Sequence, residues 1–290
     1  MAKLWTANRL ITTMLQNMLK EVEKSFSADC LCYIGPIAFG ADDAIRDAVE
    51  EIDNKRDKLV VILETPGGFA ETARRISDTL RHHYKVIDFL IPSHAMSAGT
   101  ILAMSGDAIW MDYYSVLGPI DPQVEDEKGA LIPALGYLIR YEKLLAKANR
   151  GKISTAELKI LLSFDQGTLY SYEQARDLAR TLLEEWLVKY KFKDWITTET
   201  RNKSVTLEMK KRRAKEIADK LNQVDKWNSH GIGINMARLK GDLNLKIDDF
   251  GEDKDRHQAV RKYYELLTDF MGRMGHRSLV QTRINYLRLK

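Results

Sequence analysis

Four short apolar runs, the first three each followed by a turn and a helix, constrain this chain more than any other feature. Cys30-Leu31-Cys32-Tyr33-Ile34 closes at Gly35-Pro36. Lys58 to Leu63 closes at Thr65-Pro66-Gly67-Gly68. Lys85 to Leu90 leads into Pro92-Ser93, and Ala108 to Met111 follows. Between the first three lie helical patterns: Ala44, Ile45, Ala48, Val49 and Ile52, then Ala73, Ile76 and Leu80. Strands that are apolar throughout are buried on both faces, and their alternation with helices predicts a parallel sheet with helices above and below it.

Helical spacing returns at both ends. Ile11, Leu15, Met18, Leu19, Val22 and Phe26 predict an amphipathic N-terminal helix, with Glu21 and Glu23 favouring packing on the body over a lipid surface. Beyond Pro133 helices dominate, over roughly 134–148, from Ser171 to Tyr190, from Leu207 to Leu221 and through Val260 to Met274. The expected division is an N-terminal helix (1–28), a central α/β unit (29–250) and a C-terminal helical extension (251–290). The last helix carries Tyr263, Tyr264, Phe270, Met271 and Met274, a stripe that suits either the core or a neighbouring copy.

Composition narrows the partners. A net charge of +4 against 45 basic and 41 acidic side chains gives no argument for nucleic acid, and Lys210 to Arg213 reads as a solvated helix face. No apolar run approaches the roughly 18 residues of a membrane span, and the N-terminus has no signal-peptide pattern, so no membrane partner is expected. Cys30 and Cys32, two apart in one strand, share a face and are expected to be buried and reduced, as in the cytoplasm. No spacing suggests a metal, and no cofactor is expected.

Chemistry on a parallel sheet gathers at the carboxyl ends of the strands. Two such ends stand out. Gly67 and Gly68 permit backbone conformations closed to other residues, and their N–H groups precede a helix. Ser97, in His94-Ala95-Met96-Ser97-Ala98-Gly99-Thr100, follows a strand and a tight turn and opens a helix of small residues. The placement is that of a nucleophile elbow, although Gly-x-Ser-x-Gly is absent. A plain N-cap serine fits the same residues.

Taken in order, Thr65-Pro66-Gly67-Gly68, Ala95-Met96-Ser97-Ala98-Gly99-Thr100 and Leu117-Gly118-Pro119-Ile120-Asp121-Pro122-Gln123 resemble the Clp/crotonase superfamily. The branch most similar is the serine dehydrogenase proteinases, related to ClpP and signal peptide peptidase A. Trp227 to Ile234 is similar to that family's late tryptophan-histidine segment. The resemblance implies a Clp/crotonase-like α/β fold built of repeated ββα units, with a mostly parallel sheet and helical ends. It also implies a serine peptidase in which Ser97 attacks the peptide carbonyl, Gly68 and Ala98 donate to the oxyanion and Gly67 shapes the turn.

The general base stays open. ClpP takes a histidine from the loop that reads Gly118-Pro119-Ile120-Asp121-Pro122 here and holds none. Signal peptide peptidase A takes a lysine from a later helix, which would be Lys143 or Lys147. His230 matches the family's late histidine, and the unperturbed pKa of a histidine side chain suits proton transfer. Asp121 would orient whichever base acts, and His94 precedes Ser97 by three residues. The resemblance implies a homo-oligomer acting on peptide or protein. Two other readings compete: crotonase-like binding of acyl-CoA thioesters, and a catalytically silent scaffold.

Overall fold

A computed structural model describes residues 6–120, 123–125, 131–198, 202–222 and 233–289. In chain order the elements are α1 (Ala7–Phe26), β1 (Asp29–Ile34), α2 (Ala41–Glu50), β2 (Lys58–Glu64), α3 (Ala70–His83), β3 (Val86–Leu90), β4 (His94–Ala95), α4 (Ala98–Met104), β5 (Ala108–Met111) and β6 (Val116–Leu117). The hairpin β7 (Gln123–Glu125) and β8 (Leu131–Pro133) leads into α5 (Ala134–Asn149), α6 (Thr155–Leu162) and α7 (Gln166–Trp186), which runs on as a π turn over Leu187–Lys191. Then come α8 (Leu207–Asn222), β9 (Ile234–Asn235), a short helix Met236–Gly241, β10 (Asp248–Asp249), the C-terminal helix Lys254–Met274, β11 (Ser278–Gln281) and β12 (Tyr286–Leu289).

The main sheet has the order β10-β5-β3-β2-β1-β11-β12, parallel from β10 through β1 and antiparallel over the last two pairings. The fold is therefore mixed α/β with a mostly parallel central sheet. Its strands show period two with both faces apolar. Leu31, Tyr33, Leu59, Val61, Leu63, Ile87 and Phe89 pack into one core, shared with α2, α3, α4, α7 and α8. Cys30, Cys32, Ile34, Val60, Ile62 and Leu90 face the other, closed by α1 and the C-terminal helix. Both cysteines are free and lie in this second core.

The C-terminal helix turns its stripe inward: Tyr263, Leu267, Phe270 and Met271 are buried beneath α1, while Met274 is exposed. The C-terminal segment is helical over Lys254–Met274 and carries a strand pair beyond that helix. After Gly275, which caps the helix with positive φ, the chain turns back as the β11–β12 hairpin and completes the main sheet beside β1. The physical reason is the open edge of β1, whose backbone groups need partners. Buried charge fastens the hairpin there. The Arg283 Nη1 lies 3.0 Å from Glu23 Oε1 and 2.6 Å from Asp29 Oδ1.

A smaller layer of extended segments lies off the carboxyl ends of the main strands, and it positions the candidate site. Gly68 bridges Ile37, Thr65 bridges Ala95, and β4, β6 and β9 pair in that order.

Candidate active site

The chain leaves β2 at Glu64 and enters α3 at Ala70, and the five residues between them build half of the site. The Thr65 N–H donates to the His94 carbonyl at 3.1 Å, and Met96 N–H donates back to Thr65 at 3.0 Å. On the other side, Ile37 N–H donates to Gly67 and Phe69 N–H donates to Ile37, both at 2.8 Å. This alternation turns the Gly68 N–H away from Ile37. It has no acceptor among the described residues.

Both glycines are required by contact as well as by dihedral angle. Gly67 has φ +105°, and a β-carbon there would stand 2.9 Å from the Ser97 Cβ. Gly68 has φ +146°, and its β-carbon would press to 2.2 Å from the Ile37 carbonyl oxygen.

Ser97 sits at the N-cap position of α4, but its side chain makes no capping hydrogen bond. Its backbone has φ 49° and ψ −115°. A non-glycine residue there is strained, by roughly 1–3 kcal/mol, and persists only where the surroundings fix it. Those surroundings are visible. The Met96 carbonyl accepts from Gly99 N–H at 2.8 Å, and the Met96 N–H is held by Thr65. The strain sets Ser97 on a sharp strand-to-helix turn, and the Ala98 N–H beside it has no acceptor among the described residues. Ser97 itself is 1% exposed.

Two threonines that the sequence blocks contain, but to which no role was given, lock this turn. Thr65 Oγ1 accepts the Gly67 N–H at 3.1 Å. Its methyl would lie 2.2 Å from a β-carbon on Gly99, so Gly99 makes room for Thr65. Buried Thr100 accepts the Gly118 N–H at 3.0 Å, and its hydroxyl lies 2.8 Å from the Ala95 carbonyl and 2.9 Å from that of Gly118. One hydroxyl thus ties the helix behind Ser97 to the strand before it and to the Gly118 loop. Their sequence signal was membership of the motif blocks and a hydroxyl among small apolar neighbours, neither of which tells what the hydroxyl bonds.

The structure brings Gly67, Gly68, Ser97 and Ala98 together, and does not gather every candidate base around them. His94 turns to Ser93 Oγ at 3.1 Å and to Glu64 Oε1 at 3.8 Å. Glu64 in turn accepts from the Tyr264 hydroxyl of the C-terminal helix. Burial, with that carboxylate beside it, raises the Tyr264 pKa. Lys143 is exposed on α5, whose neighbours are α6 and α7. Lys147 pairs with Glu157 at 2.5 Å, and this contact, with the Ser154 N–H, holds the carboxyl down to about 2. Asp121 and His230 lie outside the described residues. Gly233 packs on Val116, and β9 then pairs antiparallel with β6.

A serine at positive φ packed against Gly67, with no acceptor for the Gly68 and Ala98 N–H groups among the described residues, is an arrangement able to hold an oxyanion. Residues 42–149, which hold all four of these residues, match the family of ClpP-like SDH-type serine proteinases. Among curated proteins, an uncharacterized protein of Methanocaldococcus jannaschii is 27% identical over 215 residues, covering 74% of this chain and 58% of its own length. A second from the same organism is 41% identical over 70 residues, 24% of each. The chain thus spans little more than half the length of the first relative and a quarter of the second.

Two proteases are among the solved structures similar to this chain. A 1510-N membrane-bound stomatin-specific protease, solved as a mutant with a substrate peptide, overlaps with a TM-score of 0.41 at 15% identity, over 76% of this chain and 72% of that one. ClpP1 from Listeria monocytogenes overlaps with a TM-score of 0.40 at 9% identity, over 81% and 95%.

Proposed function

We propose that this chain is a serine endopeptidase that works through an acyl-enzyme on Ser97. The observation that carries the reading is the strained Ser97 backbone packed against Gly67, with the Gly68 and Ala98 N–H groups left without an acceptor among the described residues. Ser97 Oγ attacks the peptide carbonyl as its proton passes to a base, and the carbonyl oxygen becomes an oxyanion held by those two N–H groups. Collapse expels the amine, which takes the proton, and water then releases the acyl group by the reverse sequence. Backbone donors suit this work because they are fixed before the reaction and need no reorganisation.

His230 is the base in this proposal, with Asp121 orienting it. The support is topological. His230 precedes Gly233 by three residues, and Gly233 and β9 are fastened to β6, next to β4 and the Ser97 turn. Asp121 follows Ile120 in the chain, and Ile120 is buried with its N–H donating to the Leu221 carbonyl at 3.3 Å. Acyl-CoA chemistry needs the paired donors but not a strained serine, and a silent scaffold needs neither.

The same proposal takes the chain as a cytoplasmic homo-oligomer acting on peptides or proteins. Its two free cysteines accord with a reducing compartment. No described helix is long and apolar enough to cross a membrane.

The test is labelling with a fluorophosphonate probe, comparing wild type with Ser97→Ala and His230→Ala. Labelling of the wild type, lost in both variants, is the expected result. A wild type that stays unlabelled beside a control hydrolase would refute the nucleophile.

A further inference from the structure

Phe39 is 79% exposed, and its ring stacks on Phe69 with centroids 5.0 Å apart and planes 25° from parallel. An exposed phenylalanine ordinarily relaxes toward any apolar surface it can reach. This one is held out by its backbone. Ile37 is hydrogen-bonded on both sides to the Gly67–Phe69 segment, and the Ala41 N–H closes a turn on the Ala38 carbonyl at 3.1 Å. Gly40 takes φ +90°, and its N–H donates to Asp42 Oδ1 at 3.2 Å. The other Asp42 oxygen is clamped by Arg75 of α3 at 2.8 Å. A rigid turn thus presents an apolar ring to solvent, and half-buried Phe69 backs it.

The position of the pair supplies its meaning. Phe69 directly follows Gly68, whose N–H is turned away from Ile37, and Gly67 before it is packed against Ser97. Residues of an extended peptide are spaced by about 3.4 Å. A peptide whose carbonyl rests at the Gly68 N–H therefore brings a neighbouring side chain within reach of the Phe69 ring, and Phe39 extends that surface outward. Aromatic rings associate by offset stacking or edge-to-face contact, and both rings here present free area for it.

We infer that Phe39 and Phe69 form a subsite for a large apolar substrate side chain, aromatic above all, so that the chain selects peptides carrying one beside the attacked carbonyl. The inference rests on Ser97 being the nucleophile. The subsite is preorganised, so little ordering cost opposes binding.

The experiment uses the full chain and two phosphonate-capped peptides that differ only in phenylalanine or alanine next to the reactive phosphorus. Each rate is taken relative to that of a small alkyl fluorophosphonate on the same protein. The phenylalanyl probe should lead by about tenfold in the wild type, and Phe39→Ala should bring the ratio close to unity. In parallel, a peptide containing fluorophenylalanine is titrated into Ser97→Ala protein, with and without Phe39→Ala, and followed by fluorine NMR. Line broadening that depends on Phe39 is expected.

Equal probe rates in the wild type, or no broadening, would overturn the subsite. So would a Phe39→Ala variant that keeps the probe ratio but loses mass in light scattering, because the pair would then be a contact between copies. Phe39-dependent peptide binding in a wild type that no probe labels would keep the subsite and refute Ser97 as nucleophile.

Discussion

The α-carbon of Gly67 faces the β-carbon of Ser97 so closely that a methyl group on residue 67 would stand 2.9 Å from it, and equally near the Met96 carbonyl oxygen. Neither neighbour is the free end of a flexible side chain, so the turn itself would have to shift. Gly67→Ala should therefore slow fluorophosphonate labelling of Ser97 by tenfold or more. Its left-handed φ adds a stability loss of about 1–2 kcal/mol, measurable by urea unfolding. Labelling at the wild-type rate would show that the turn does not govern the serine.

The strain at Ser97 is separable from its hydroxyl. Ser97→Ala keeps a β-carbon at φ 49°, ψ −115°, whereas Ser97→Gly releases it. The relief, roughly 1–3 kcal/mol, is partly offset by the greater freedom of glycine in the unfolded chain. Ser97→Gly should thus be about 1 kcal/mol more stable than Ser97→Ala in paired thermal melts, with neither labelled. Equal melting temperatures would argue that no strain is stored.

Arg283 reaches back to three residues near the start of the chain. It contacts Glu23 of α1 and Asp29 of β1, and its Nη2 donates to the Asp53 carbonyl at 2.9 Å. Asp29 is fully buried and also accepts from the Arg56 N–H at 2.9 Å and the Tyr84 hydroxyl at 3.1 Å. Replacing Arg283 by Met leaves two buried carboxylates short of their main counter-charge, a loss of about 3 kcal/mol by analogy with broken buried pairs. A urea midpoint unchanged from wild type would contradict this.

Lys191, in the π turn after α7, gives a pH signature. Burial lowers its pKa from 10.5 to about 8, opposed in part by Asp248, Asp88 and Asp107 and assisted by Lys246. The native state therefore holds this proton more weakly than the unfolded chain. Between pH 8 and pH 10.5 the unfolded chain carries the extra proton, so this residue makes stability rise with pH across that window. Below it the full penalty of burying the ammonium applies. Lys191→Met should gain on the order of 2 kcal/mol at neutral pH, and the gain should shrink as pH rises. A difference between the two proteins that stays constant from neutral to alkaline pH would rule the account out.

Much of the main sheet was legible in the sequence because its strands are apolar on both faces. Cys30 to Ile34, Lys58 to Leu63 and Lys85 to Leu90 could be stable nowhere but between two layers of helices. The turns after β2 and before α4 were legible through residue type, since Gly67, Gly68 and the small residues around Ser97 are what a close approach of backbones requires. The two-residue strands β4, β6 and β9 were not, because a pair of residues has no period and gains strand character only from its neighbours. The β11–β12 hairpin was hidden for a related reason. Ser278-Leu279-Val280-Gln281 is short and flanked by arginines, and it becomes a strand because β1 leaves an edge open and Glu23 and Asp29 hold Arg283.

By itself the sequence determined which residues must meet: a glycine pair and a serine at the ends of adjacent strands, in blocks similar to those of one peptidase family. Only the tertiary structure decided their state. Residues distant in the chain put Ser97 at positive φ, turned the Gly68 N–H away from Ile37 and drew His94 toward Glu64. Local sequence sets what a backbone can adopt at little cost. A conformation that costs free energy, as the one at Ser97 does, exists only where long-range contacts such as those of Thr65 and Thr100 outweigh that cost.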